Sequence, residues 1–293
     1  MPTNRGSLKL FELRGIEVFL HWSWLIVAVI EIMLRRERYA SLAWNIAAYL
    51  SLFAIVLLHE FGHALACRSV GGKADRIVLW PLGGIAYVLP PPRPGALLWS
   101  IAAGPLVNLV LFVPSLLAWR LTEGAVSADL TKYFQALVFI NAGLFIFNCL
   151  PVYPLDGGQM LRAVLWFFVG RSKSLLYASL FGLVGAVAFA GIGIYFKNFI
   201  IVAIAVFGAM RSWAAARGAR ALEALLAAPV HADAACPACA ESPPQGLFWC
   251  CACGAGMDVF QMPLCTTCNR LSLTPMCPHC GQSHPVERWQ RAL

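Results

Sequence analysis

The chain has 293 residues, of which 60% are hydrophobic and 12% are charged, and its mean hydropathy is +0.71. A soluble domain is about 45–50% apolar and about 25% charged, so the composition excludes an ordinary soluble enzyme and predicts a polytopic α-helical membrane protein. The formal net charge is +8, a basic balance that in a membrane protein more often reports orientation than nucleic-acid binding.

Long apolar runs predict the membrane spans. Six runs approach the roughly 20 residues that a crossing helix needs, and the first of them is the weakest because it contains His21 and Glu31. They lie at about 17–34, 42–66, 95–119, 134–150, 175–196 and 199–216. With the N-terminus inside, thirteen near-membrane Lys and Arg residues fall on the inner side and six on the outer side. The positive-inside rule therefore predicts a multi-pass protein of the cell membrane with both termini in the cytoplasm, although the cluster "RRER" after the first run opposes this orientation.

The second run contains the stretch "AIVLLHEFGHALAC", in which His59, Glu60 and His63 form H-E-x-x-H. Ionisable groups in an apolar helix are costly unless they are paired or bind a metal. Residues at i and i+4 lie on one helix face, so both imidazoles can reach one zinc ion, and the glutamate between them can act as a general base. The alternative, a pair of core histidines with ordinary hydrogen bonds, does not explain this spacing.

The segment "RIVLWPLGGIAYVLPPPRP" follows the second run. Its residues 77–80 and 85–89 are β-prone, and residues 81–84 have the composition of a turn. The sequence therefore predicts a short β-hairpin, with a plain cytoplasmic loop as the alternative.

Asp156, in "FNCLPVYPLDGGQ", is the candidate third ligand of a catalytic zinc site. Runs two and four are separated by one complete helix and are therefore parallel, which brings His59, His63 and Asp156 to a similar depth. The alternative role of Asp156 is that of a turn residue before Gly157 and Gly158. Residues 160–169 are too short to span and are predicted to form a helix at the cytoplasmic surface.

These two motifs together resemble the site-2 protease family of intramembrane zinc metalloproteases. The family pattern H-E-x-x-H plus N-x-x-P-x-x-P-x-D-G is met by "HEFGH" and, some 90 residues later, by "FNCLPVYPLDGG". The stretches "AAGPLVNL" and "GGIA" also look like family features, and the resemblance covers about residues 15–215.

The resemblance implies that His59, His63 and Asp156 bind zinc and that Glu60 activates the attacking water. It implies that Asn148 stabilises the oxyanion or holds the substrate, with an interhelical hydrogen bond as the alternative; Asn141 is interpreted as structural. The family also has a membrane-inserted sheet, so an unwound transmembrane substrate could add as a strand beside the hairpin. The predicted substrate-binding residues are Gly83, Gly84, Ile85 and Asn108.

The last part of the chain is cysteine-rich. We predict a membrane domain at 1–216, a linker at 217–231 and a small domain at 232–293 that contains four C-x-x-C knuckles. Four thiolates in two knuckles are a usual ligand set for one structural zinc, so the pattern predicts a double zinc ribbon with two zinc ions besides the catalytic one. Disulfides are the alternative, and the pairing of the knuckles stays open. The predicted ligands are Cys236, Cys239, Cys250, Cys253, Cys265, Cys268, Cys277 and Cys280.

From His231 onward the chain has three arginines and four acidic residues, which gives no footprint for nucleic acid. A regulatory protein partner is the more natural expectation for this tail. The sequence as a whole predicts an all-α membrane protein that cleaves transmembrane substrates within the lipid bilayer, with regulated intramembrane proteolysis as the setting that the resemblance implies. The competing functions are a membrane metal transporter or sensor and a non-catalytic scaffold that acts through the zinc ribbon.

Overall fold

The computed structural model of this chain describes residues 6–34, 37–80, 83–124, 127–227, 229, 248–249 and 256–257. Its elements in chain order are β1 (Ser7–Leu13), β2 (Ile16–His21), α1 (Ser23–Leu34), α2 (Leu42–Ser69), β3 (Lys73–Trp80), β4 (Gly83–Leu89), α3 (Pro94–Thr122), α4 (Ala128–Cys149), α5 (Asp156–Val169), α6 (Arg171–Tyr195), α7 (Phe199–Leu226), β5 (Phe248–Trp249) and β6 (Gly256–Met257).

Five of the described helices are long and apolar enough to cross a membrane, namely α2, α3, α4, α6 and α7. Their outer faces carry large apolar side chains; on α3, for example, Val110, Val113 and Leu117 are 60–68% exposed. Water would penalise such a surface, whereas lipid solvates it. The polytopic helical fold that the composition predicts is therefore present.

The first predicted span is different in the structure. Its beginning is strand β2, and the helix that follows, α1, has 12 residues and a length of about 18 Å, well short of the roughly 30 Å of a hydrocarbon core. The reason is a period-2 pattern in "IEVFLH": Ile16 and Val18 are fully buried on one side of β2, and Glu17 points away from them.

The predicted hairpin is present as β3 and β4, but it is half of a larger sheet. The strands have the order β1-β2-β3-β4, with β2 and β3 parallel and the other neighbours antiparallel. One face of the sheet packs on α2, where Ile77 and Leu79 of β3 join Phe61 and Cys67 of α2 in the core. Burial of these side chains fixes the sheet beside the polar segment of α2 and leaves β4 at the edge.

Outside the spanning helices, β1 is joined to β2 by an ion-pair cluster on the other face of the sheet. The Lys9 ammonium lies 2.7 Å from a carboxylate oxygen of Glu17 and 3.1 Å from one of Glu12. These hydrogen bonds raise the pKa of Lys9, that with Glu17 the most, and the bond to Lys9 lowers the pKa of Glu17.

Helix α3 lies against α2, α4 and α5. Because α3 is the single crossing between α2 and α4, those two helices run in the same direction. The predicted surface helix at 160–169 is α5, which begins four residues earlier, at Asp156.

The chain divides into two compact units. One comprises residues 1–169 and 177–212, and the other comprises residues 170–176 and 213–293. In the second unit, β5 and β6 pair as a short antiparallel ladder. The eight cysteines predicted to bind structural zinc lie outside the described residues, so their zinc ligation stays a prediction.

Candidate metal centre and active site

The candidate site is built on one face of α2. His59, Glu60 and His63 are each only 6% exposed. The two histidines are about one helical turn apart, which makes their imidazoles neighbours. Apolar side chains surround them along the helix, so the polar atoms of this segment must be satisfied by protein groups or by a bound ion.

Three ligand-type atoms converge at this point. The Nε2 atoms of His59 and His63 are 3.1 Å apart, and Asp156 Oδ2 lies 3.2 Å from each of them. In a tetrahedral zinc site with ligand distances of about 2.0–2.1 Å, the ligand atoms lie about 3.3–3.4 Å from one another. The triangle formed by these atoms therefore has about the size that zinc requires, and the three residues are the group of described side chains suited to hold a metal ion.

The hydrogen bonds on the far side of each ring determine which atoms face the centre. His63 Nδ1 lies 2.9 Å from the carbonyl oxygen of Ser100, which can only accept, so Nδ1 must carry the proton. His59 Nδ1 lies 2.6 Å from Asn108 Oδ1 and is likewise the donor. In the neutral rings both Nε2 atoms then present lone pairs, which point at each other and at a carboxylate oxygen. A cation in their midst turns this repulsion into ligation.

Asn108, which is predicted to bind substrate, lies in α3 beside His59. Its side chain is fully buried, and its Oδ1 atom accepts a hydrogen bond from His59. Its Nδ2 donates to Asn141 Oδ1 at 3.4 Å, and Asn141 Nδ2 donates to the carbonyl oxygen of Leu137 at 2.9 Å. Each of these hydrogen bonds orients the next amide group. The Asn108 Oδ1 atom is therefore a fixed acceptor for the His59 N–H group. Asn108 is therefore placed to orient the His59 ring, and its role in substrate binding stays a prediction.

Glu60 faces the edge of the sheet. Its Oε2 accepts a hydrogen bond of 2.8 Å from the backbone N–H of Ala86 in β4. A side chain at Gly84 would collide with the Glu60 carboxyl group, so glycine at this position lets β4 approach the carboxylate. The predicted hairpin thus lies beside the candidate general base, and Ile85, 41% exposed, lies between these two contacts.

Small residues also allow α3 to approach the metal centre. A Cβ atom at Gly104 would collide with the imidazoles of His59 and His63, and one at Gly62 would lie 2.7 Å from the carbonyl oxygen of Ala103. Close helix approach through small residues is the usual packing mode in membranes. The stretch "AAGPLVNL" contains Gly104, but nothing in the sequence indicates that Gly104 lies against His59 and His63.

The loop before the third ligand is held by α6 and α7. Val152 fills the space beside Gly185, Tyr153 packs against Gly182, and the Ser212 hydroxyl donates to the carbonyl oxygen of Tyr153 at 2.7 Å. Larger side chains at either glycine would displace this loop. Asp156 then begins α5 directly after it, which directs the carboxylate toward the histidines.

The other predicted residues are placed as follows. Asn148 is half-buried in the last turn of α4, and within the described part of the chain its side chain does not bond to the three ligand-type residues. Gly83 is the first residue of β4 and has φ +136°, a conformation that favours glycine. Sequence reasoning missed Ser100 and Ala86, because both contribute through backbone atoms that no side-chain pattern reveals.

Comparisons with known proteins agree with this geometry. Residues 47–124 and 115–192 match peptidase family M50. A zinc metalloprotease of Methanocaldococcus jannaschii is 31% identical over 201 residues, which are 69% of this chain and 58% of that protein. Stage IV sporulation protein FB of Bacillus subtilis is 35% identical over 125 residues, 41% of either chain.

A solved structure described as the site-2 protease from M. jannaschii superposes with a TM-score of 0.53 at 27% identity, covering 72% of this chain and 95% of that one. This chain spans about half the length of the curated relatives it matches. The H-E-x-x-H helix, the converging aspartate and these matches lead to one conclusion: the chain belongs to peptidase family M50, the site-2 protease family.

Proposed function

We propose that this protein is an intramembrane zinc endopeptidase that hydrolyses peptide bonds in or beside transmembrane segments of other membrane proteins. The observation that carries the proposal is the convergence of three acceptor atoms, from His59, His63 and Asp156, next to a buried carboxylate. A transport or sensing site needs the three ligands but has no use for Glu60 between them. The catalytic reading uses all four residues.

In this mechanism a bound zinc ion would supply Lewis acidity and lower the pKa of the attacking water. Glu60 accepts the proton of that water and later delivers it to the leaving amine. The Ala86 N–H holds one Glu60 oxygen in place and leaves the other for proton transfer. Asn148, half-buried in the last turn of α4 directly before the loop to Asp156, is our candidate for binding the oxyanion or the substrate.

The edge strand β4 is the proposed substrate-binding element. A transmembrane helix conceals its peptide bonds in its own hydrogen-bond ladder and must unwind before it is cleaved. Alternate residues of a strand direct their N–H groups to the same side, so Gly84 and Val88 share the direction of Ala86, toward the side where Glu60 lies. An unwound segment that pairs here, along Gly83, Gly84 and Ile85 and beyond, would lie next to the general base.

The setting follows from the family and from the charges. We propose that cleavage serves regulated intramembrane proteolysis, with both termini in the cytoplasm as the distribution of basic residues predicts. We also propose that residues 232–293 form a double zinc ribbon that binds a regulatory protein. The paired strands β5 and β6 support this, because they bracket the knuckle Cys250/Cys253 as the arms of a hairpin would.

The first prediction concerns the general base. Glu60→Gln should lower the rate of peptide hydrolysis by about 10²–10⁴-fold, because it removes the proton acceptor while keeping the size of the side chain. The measurement compares membrane-protein fragments in cells carrying wild type or Glu60→Gln, together with the zinc content of the purified proteins. His59→Ala is the matched comparison, since it should lose both zinc and cleavage. Identical fragments from wild type and Glu60→Gln, with an altered phenotype for His59→Ala alone, would favour metal transport or sensing.

The second prediction separates positioning from substrate binding at Asn108. Asn108→Ala should weaken zinc affinity by about 10–100-fold, because His59 loses the acceptor that fixes its ring. Competition with a chelator measures this, and KM at saturating zinc should stay near the wild-type value. Ser115→Ala is the matched control, because it removes a buried hydroxyl of the same helix that bonds only within α3. Unchanged zinc affinity together with a raised KM would indicate that Asn108 contacts the substrate.

The third prediction tests strand addition. Val88→Pro should lower kcat/KM by about tenfold, since it removes an N–H group from the free edge and obstructs an incoming strand. By strand alternation this N–H group faces away from β3, as that of Ala86 does, so zinc content and the far-UV circular dichroism spectrum should be retained. Val88→Ala, which keeps the N–H group, serves as the control. Equal cleavage by Val88→Pro and wild type would exclude pairing along this edge.

The fourth prediction counts the zinc ions. The purified full-length protein, kept reduced, should contain about three zinc ions per chain, and Cys236→Ser combined with Cys239→Ser should lower this to about two. Cys251, which belongs to no proposed ligand set, provides the control through Cys251→Ser. One zinc per chain in protein purified without reductant, with a single titratable thiol in the tail, would instead indicate disulfides.

A further inference from the structure

Exposed basic side chains lie along the last turns of α7. Trp213, Arg217 and Arg220 are exposed and follow one another at i, i+4 and i+7, which places them on one side of the helix. The adjacent side of the same turns is buried, since Ala216 and Ala219 are at most 5% exposed. Packing of these small residues therefore holds the helix so that both arginines face away from the protein.

A third basic residue, Lys173, lies at the same end of the neighbouring helix. The connection between α6 and α7 has only three residues, 196–198, and Gly193 lies against Val202 across it. The two helices are therefore antiparallel, so the first turn of α6 and the last turns of α7 lie together. Residues 170–176 and those from 213 onward accordingly belong to one compact unit. Lys173, Arg217 and Arg220 are called the basic end.

The charges of the basic end are not neutralised by described carboxylates. Ion pairs are found elsewhere, as between Arg120 and Glu123 at 3.3 Å, but within the described part of the chain the three basic side chains form none. Glu223 is the acidic residue nearest in sequence to Arg220. Three positive charges and this single negative charge leave a local charge of +2, which attracts an anionic partner.

The position of these residues along α7 matches the depth of lipid headgroups. The helix has 28 residues and a length of about 42 Å, whereas a hydrocarbon core is about 30 Å thick. Arg217 and Arg220 lie about 27 and 32 Å from the first residue of α7, and Trp213 lies about 21 Å from it. Both arginines therefore reach the membrane boundary, with Trp213 just inside it, where tryptophan is typical.

We propose that the basic end binds the headgroup phosphate of an anionic phospholipid, with an acyl chain of that lipid beside Trp213. Guanidinium groups pair with phosphate oxygens in a bidentate manner, and the Lys173 ammonium adds a point charge. The positive-inside rule alone requires basic residues on this side but no particular arrangement. Here they lie in register above an exposed aromatic ring, which is the arrangement that a headgroup and its acyl chain would contact together.

The test uses Trp213 as a reporter in the purified full-length protein. The protein is reconstituted in phosphatidylcholine vesicles that contain increasing amounts of phosphatidylglycerol or phosphatidylcholine with brominated acyl chains, which quench nearby tryptophans. Subtraction of the signal of Trp213→Phe isolates Trp213. We expect half-quenching at a mole fraction of brominated phosphatidylglycerol at least about fivefold lower than for phosphatidylcholine, because each basic residue near an anionic lipid raises affinity about fivefold.

Arg217→Gln combined with Arg220→Gln should remove most of this preference, and so should 1 M NaCl, which screens the charges. Lys197→Gln is the matched control, because it neutralises an exposed lysine at the opposite end of the same helix pair and should keep the preference. Circular dichroism and zinc content establish that each variant is folded.

The wild-type comparison decides the matter even if a variant folds poorly. Equal half-quenching by the two lipids would overturn the proposal and leave the basic residues a role in orientation alone. Absence of quenching by either lipid would overturn it too, because the surface would then be covered by protein. Loss of the preference on addition of millimolar glycerol 1-phosphate would indicate a site for free phosphate esters instead of lipid. None of these readouts depends on peptide hydrolysis, so they leave the proposed protease function untouched.

Discussion

The structure depends on the convergence of three ligand-type atoms inside an apolar helix bundle. Two imidazole nitrogens and a carboxylate oxygen lie 3.1–3.2 Å apart, and their outer hydrogen bonds prevent either neutral ring from offering a proton to the others. A cation that all three atoms share would stabilise such a buried arrangement. The surrounding features can be understood as means of holding these atoms in place until that cation binds.

Two kinds of packing hold the atoms in place. On one side, glycines let backbones approach where a methyl group would not fit: Gly104 brings α3 against the imidazoles, and Gly84 brings β4 against Glu60. On the other side, the buried amide side chains of Asn108 on α3 and Asn141 on α4 form hydrogen bonds that fix the tautomer of His59. Loss of either would leave the ligands present but misdirected, and metal affinity depends strongly on such outer contacts.

The sheet connects this centre to the chemistry proposed for it. Strands β1 to β3 anchor it to α2 through buried side chains, so β4 remains at the edge of the described sheet. Free edges in soluble proteins are usually protected because they invite pairing with other chains. Here the edge lies beside a buried carboxylate. The proposed protease requires such an edge, because an unwound substrate helix could pair with it.

The sequence by itself predicted the membrane class, the candidate metal ligands and the candidate base, because hydropathy and the spacing of H-E-x-x-H act locally along one helix. It also placed Asp156 near the histidines, since the parallel course of α2 and α4 follows from one intervening crossing. Only the tertiary structure decided that residues 16–21 form a strand, because an apolar run can serve a strand or a helix until its packing partner is known. The role of Asn108 and the contributions of Ser100 and Ala86 were likewise tertiary, since hydrogen bonds to backbone atoms and between distant helices leave no periodic trace in the chain.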